Sequence, residues 1–273
     1  MDLSEDYYNK LSSKVFVKQD LQKIRVGIGN RLNAYYRKYE SKVKLEPDEK
    51  ELLETLKDVG LKTEGIIRKE KKLTKEIEEL AVEHPLWLNW LRNVKGIGPE
   101  TCGFLIANFW NREFPSRSAM KIFCGLGTDK RGGPQKRKKG NSCNYRPELQ
   151  AKLIGEKGIA DHFILNKVEP YYSYYLKWKE EDAKKHPEYV PPEGGWSKLP
   201  KEKRHPGRLH KRALRKVAIL FLSHLWEVIY WLKYSKEVIP YPMHFKNTPL
   251  SPEEYIAPPG IKVKLLEEGV IFL

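Results

Sequence analysis

Val94-Lys95-Gly96-Ile97-Gly98-Pro99-Glu100-Thr101-Cys102-Gly103-Phe104-Leu105-Ile106-Ala107-Asn108-Phe109 is the stretch whose reading decides the fold. Before it, Leu86-Trp87-Leu88-Asn89-Trp90-Leu91 reads as a short helix with large apolar residues. After the turn, Pro99 stands where a helix begins, since its missing N–H would be unpaired there in any case. Gly96 and Gly98 permit a tight corner that residues with a Cβ resist. The pattern predicts helix, hairpin, helix, with Ile97 plugging the two helices from inside and bare amides at the start of the second. Such amides suit an anion, for example a DNA phosphate. A helical turn that happens to contain two glycines is the plainer reading. The flanking helix signals, Lys95 and the basic chain favour nucleic acid.

Lys and Arg number 51 against 36 Asp and Glu, a formal net charge of +15. That balance favours a polyanionic partner over an acidic small molecule. The 273 residues make one large domain or two modest ones. Cys102, Cys124 and Cys143 lack the close pairing of a zinc site, and their odd number fits poorly with a secreted disulfide framework. No metal or other cofactor is therefore expected, and a reducing cytoplasm, at the nucleoid, is the expected home. The start MDLSEDYYNK has no apolar signal core, and no segment is apolar and long enough for a bilayer. Heavy use of Lys, Glu and Ile with four Gln points to a hot habitat.

Outward from the hairpin, residues 3–39 read as helix, with Leu21, Ile24, Ile28, Leu32, Tyr35 and Tyr39 at the three–four steps of a coiled-coil seam. Gly27 and Gly29 weaken its middle and are read as allowing close helix approach. Pro47 marks a break. Leu52, Leu53, Leu56 and Leu61 open a second helical region, in which Ile66, Leu73, Ile77 and Leu80 keep seam spacing. Two antiparallel helices, or a dimerising arm, follow. Beyond the hairpin, Ser116 or Ser118 caps a short helix that Gly125 and Gly127 end. Residues 128–145 form the most cationic loop, with Lys130, Arg131, Lys136, Arg137, Lys138 and Lys139 opposed only by Asp129. It is a second contact for a nucleic-acid backbone, or else a solvated loop. Residues 149–184 read as helical, with tyrosines whose spacing favours core packing over stacking on bases. A Pro- and Gly-rich excursion spans 186–207. The strongest helix of the second half, residues 209–234, starts with His210, Lys211, Arg212, Arg215 and Lys216 and buries Leu214, Val217, Ala218, Phe221, Leu225, Val228, Ile229 and Leu232. His224 reads as a satisfied core histidine. In the Pro-punctuated tail, Ile261-Lys262-Val263-Lys264-Leu265 alternates like a strand.

An ordered series of motifs runs from Trp87 to Lys233. It starts with Lys95-Gly96-Ile97-Gly98-Pro99-Glu100-Thr101, then Phe114 and Ser118 leading into Cys124-Gly125-Leu126. Lys139-Gly140-Asn141 with Arg146 and Leu149 follows, and last His210-Lys211-Arg212-Ala213-Leu214-Arg215-Lys216-Val217-Ala218. The series resembles the C-terminal half of the DEDD-type insertion-sequence transposases related to the Piv invertase, the bridge-RNA-guided recombinase family. A helical arm before the hairpin agrees with that family. The chain departs from it in two respects. The family's RuvC-like domain, whose four acids hold divalent metal, has no counterpart before the arm. The family's nucleophilic serine after the Gly-Leu pair is also missing, since 128–133 offers only Thr128 and the next serine is Ser142.

The sequence therefore predicts a mainly α chain. A coiled-coil arm of long helices spans 1–84, a helix-hairpin-helix domain spans 85–236, and a Pro-rich tail, irregular or with short β structure, spans 237–273. The expected function is binding of duplex or branched DNA without catalysis, with two copies joined through the arm. The expected contacts are Lys95, Gly96, Ile97, Gly98, Thr101, the 130–139 cations, Arg208, Lys211, Arg212 and Arg215. Phosphate contacts position a protein without reading bases, so binding should tolerate sequence. The alternatives are a transposase or recombinase subunit, with Thr128 or Ser142 as nucleophile and a metal-bearing partner in trans, and a binder of structured RNA.

Overall fold

The computed structural model describes residues 3–40, 46–128, 145–235, 255–265 and 270–272. The described part is mainly helical, with nine α-helices and one two-stranded ladder. It divides into two compact units, one of Met1–Leu88 and Gly98–Arg112, the other of Asn89–Ile97 and Glu113–Leu273.

Two long helices, α1 (Glu5–Glu40) and α2 (Pro47–Ala81), dominate the first unit. Ser4 accepts a hydrogen bond from the Tyr7 amide, and Glu5 and Asp6 place negative charge in the first turn, so α1 starts where the backbone needs acceptors. Glu46 and Glu49 form a capping box around α2, and Pro47, the expected break between the two helical regions, is the first residue of the second. The helices run antiparallel. Tyr7 donates to the Leu80 carbonyl at 2.5 Å, Lys14 pairs with Glu76, and Arg25 takes both oxygens of Glu70 at 3.0 and 3.1 Å.

The buried positions repeat every four residues: Tyr7, Leu11 and Val15 on α1, and Leu73, Ile77 and Ala81 on α2. This differs from the expected seam. Leu21, Ile28 and Leu32 are half-buried and Ile24 is 53 % exposed. Near the base, α4 (Pro99–Leu105) and the π turn Ile106–Trp110 add a third wall to the helix pair. Farther out, two helices alone cannot enclose a core. Gly27 and Gly29 do not serve close approach either, because a Cβ on each would meet open space. The close approach is at Gly103, where a Cβ would land on the Ile77 side chain and 3.5 Å from Ala81. Gly103→Ala is expected to cost about 1–3 kcal/mol through overpacking, read as a lower unfolding midpoint. A variant as stable as its parent would show that α2 yields freely.

In the second unit α9 (Arg208–Tyr234) is the central element, packed by α5 (Arg117–Phe123), α6 (Pro147–Ile154), α7 (Ile159–Leu165) and α8 (Tyr171–Lys185). Its buried face holds Leu214, Val217, Ala218, Phe221, Leu225 and Val228. Trp90 stacks on Phe221 with centroids 5.9 Å apart, and Phe163 on Tyr171 at 4.3 Å. The helix expected over 149–184 is three helices. Gly155 and Gly158 interrupt the run, and the Asn166–Pro170 corner interrupts it again. Ser116 caps α5 by accepting from the Ala119 amide. His224 is buried between Tyr171 (2.9 Å) and the Ile256 carbonyl (2.8 Å). The carbonyl can only accept, so Nε2 carries the proton and Nδ1 accepts from the tyrosine. Burial lowers this histidine to about 3, which keeps it neutral. In the tail, β1 (Val263–Leu265) pairs antiparallel with β2 (Val270–Phe272).

Candidate nucleic-acid interface

The helix expected over Leu86–Leu91 is two pieces, α3 (Pro85–Asn89) and a 3-10 turn Leu91–Asn93. Trp90 breaks them with an irregular backbone. Arg92 and Asn93 are exposed on that turn, while Leu91 and Val94 are buried and hold it down. The chain then reverses, with the Ile97 amide donating to the Val94 carbonyl at 3.1 Å. Gly96 takes φ +91, the left-handed side that favours glycine. A Cβ there would touch Asn166 and His162 of the same unit at 3.6–3.7 Å. Ile97 is buried, whereas Lys95, Gly96 and Gly98 are exposed.

Gly98 is the N-cap of α4, extended at φ −94 and ψ 171, and no side chain caps the helix. The Cys102 amide returns to the Gly98 carbonyl at 3.0 Å. Among the described residues, the amides of Gly98, Glu100 and Thr101 have no acceptor. They are the open donors that begin a helix. One acid stands in this first turn. Glu100 would repel an incoming anion, but it is paired with Lys18, whose stem is buried in α1. Thr101 is half-buried in the same turn.

The α9 cations divide into two groups. Arg208 and Lys211 are exposed. Arg212 and Lys216 hold the buried Asp182 at 3.1 and 3.0 Å, and Arg215 donates to the Gly127 carbonyl at 2.7 Å. Arg212 and Arg215 thus brace the fold, and phosphate contact from this turn falls to Arg208 and Lys211. Local sequence carries no sign of this, because Asp182 and Gly127 lie 30 and 88 residues away from them. It also missed Arg92, one turn before Lys95, where only the exposed 3-10 turn reveals it. Lys130, Arg131, Lys136, Arg137, Lys138, Lys139 and Ser142 lie outside the described residues, and Thr128 is exposed at their edge.

The charge is unevenly divided. The second unit holds 32 Lys and Arg against 18 Asp and Glu, and the first 19 against 18. Nearly the whole excess thus belongs to the unit that contains Lys95 and Gly96. Among the described residues no three His, Cys, Asp or Glu are grouped to hold a metal ion, and no helix is long and apolar enough to cross a membrane. The chain matches no protein-family model and no curated protein.

Proposed function

We propose that this chain binds the backbone of duplex or branched DNA, in the manner of a transposase C-terminal region, and performs no catalysis of its own. The observation that carries the reading is the start of α4, where exposed Gly98 has no capping side chain and the amides of Gly98, Glu100 and Thr101 have no acceptor among the described residues. A phosphate at the start of α4 would take hydrogen bonds from its open amides, and Lys95 is proposed as a separate phosphate contact in the second unit. Arg92, Arg208 and Lys211 add positive charge, and the 130–139 stretch is proposed as a further contact. The arm is proposed as a coiled-coil contact between two copies, supported by the half-buried apolar positions Leu21, Ile28, Leu32 and Ile66.

Salt dependence tests this directly. Each neutralised phosphate steepens the log–log slope by about 0.9. Engagement of about five cations gives a slope near −4.5 by the same relation, on duplex and on a four-way junction. A slope near zero, or no binding to either, would sink the reading.

A further inference from the structure

Residues 186–207 join α8 to α9 through three 3-10 turns, Pro187–Tyr189, Trp196–Lys198 and Lys201–Lys203, and none of these residues is buried. A segment this long with no apolar anchor needs another means of attachment. What the segment carries instead is a pile of rings and cations. His186 stacks on Tyr189 with centroids 5.0 Å apart and planes inclined by 24°. His205 meets Tyr189 edge-on at 5.3 Å, and Trp196 meets His205 edge-on at 6.4 Å. From α9, the guanidinium carbons of Arg208 and Arg212 lie 4.7 and 6.0 Å from the Tyr189 ring centroid.

The two arginines differ in a way that matters. Arg212 is fixed by buried Asp182. Arg208 is exposed and has no acidic partner among the described residues, so its planar cation lies over a tyrosine with nothing to neutralise it. Exposed cation–π contacts are individually weak and make a poor fastening for a loop. Planar faces for bases, with cations for phosphates, are however the two things that an unpaired nucleic-acid strand requires. The local charge agrees. Lys198, Lys201, Lys203, Arg204, Arg208 and Lys211 face only Glu188, Glu193 and Glu202 over residues 186–211, and Glu188 is already held by His186.

We infer that Trp196 and Arg208, the latter held over the Tyr189 ring, form a stacking platform for an unpaired nucleotide, with Lys211 taking its phosphate. The inference rests on the DNA-binding reading above and narrows it to DNA that carries a single-stranded stretch. A base lies on the Arg208 plane or on the half-exposed Trp196 indole. A closed duplex hides its base faces and offers phosphates only, so stacking on the platform adds nothing to blunt DNA.

The test compares a blunt duplex, the same duplex with a single-stranded tail, and that tail made of abasic nucleotides, all with the full chain. The base-bearing tail is expected to raise affinity roughly 5- to 100-fold over blunt duplex, and the abasic tail to lose most of that gain. Trp196→Leu should lower the preference while leaving blunt-duplex affinity unchanged, and Tyr189→Leu, which frees Arg208, should lower the preference as well. A ribonucleotide tail in a parallel arm shows whether the captured strand is DNA or RNA, and retention of either through its bases supports the platform. Equal binding of base-bearing and abasic tails overturns it and leaves the hairpin reading standing. That comparison uses the unsubstituted chain, so it decides even where Tyr189→Leu disturbs the segment. Failure to bind any of these DNAs removes both readings together.

Discussion

Gly98→Leu should leave the fold in place and weaken DNA binding by roughly 10- to 100-fold, the loss of one charge-assisted hydrogen bond at about 1.5–3 kcal/mol. The backbone at this residue is extended, which any residue adopts, and a Cβ added there meets nothing within 4 Å. The new side chain therefore fits, and it stands over the amides that begin α4. The folding penalty is limited to a poorer N-cap, about 1 kcal/mol. Gly96 is a worse choice for the experiment, because its φ of +91 makes any substitution strained before DNA is added. Anisotropy of a labelled duplex, paired with thermal unfolding, separates the two effects. A Gly98→Leu chain that binds as its parent does would place the DNA elsewhere.

The largest stability effect is expected at Arg117. It pairs with Glu227 at 2.6 Å, and the two side chains are 10 % and 2 % exposed. Tyr255 donates to the second carboxylate oxygen at 3.1 Å. Burial pushes the Glu227 carboxyl up to about 7, against the downward pulls of Arg117 and Tyr255. Because the folded value lies above the ordinary 4.5, the folded chain keeps a proton that the unfolded chain releases. Stability from this group therefore falls as pH rises from 4.5 through 7 and levels off above. Arg117→Met removes the cation and strands the acid. The expected cost is about 3–5 kcal/mol where Glu227 must ionise, or a midpoint lower by about 6–15 °C for a protein of this size. Below about pH 5 the carboxyl stays protonated and the cost shrinks. Equal destabilisation at pH 5 and pH 8 would show that lost packing, not stranded charge, is responsible.

Local features were legible in the sequence and long-range ones were not. The start of α4 at Pro99, the Ser116 cap and the buried face of α9 follow from residues within a turn or two of one another. In the arm, periodicity reports an apolar stripe without saying what covers it. Leu21 to Leu32 keep a good stripe but are only half-buried or exposed, whereas Leu11 and Val15 are buried in the part of the unit that α4 and the π turn also join. Residues 149–184 carry apolar spacing throughout, and Gly155, Gly158 and Pro170 outweigh it. Arg212 and Arg215 looked like Arg208, and only the folded chain separates them, by setting Asp182 and Gly127 beside the first two. The Tyr189 pile was invisible for the same reason, since its members come from residues 186–212 and assemble only once the excursion returns to α9.

The order in which the chain visits its two units limits how it can be dissected. After Leu88 it contributes Asn89–Ile97 to the second unit and then goes back to the first until Arg112. A fragment excised at Glu113 would forfeit Trp90, and with it the ring against Phe221 and the indole hydrogen bond to the Pro259 carbonyl. The complementary fragment would carry those nine residues as a stray loop. No single scission yields two whole modules, so recombining or transplanting either one requires relinking the polypeptide.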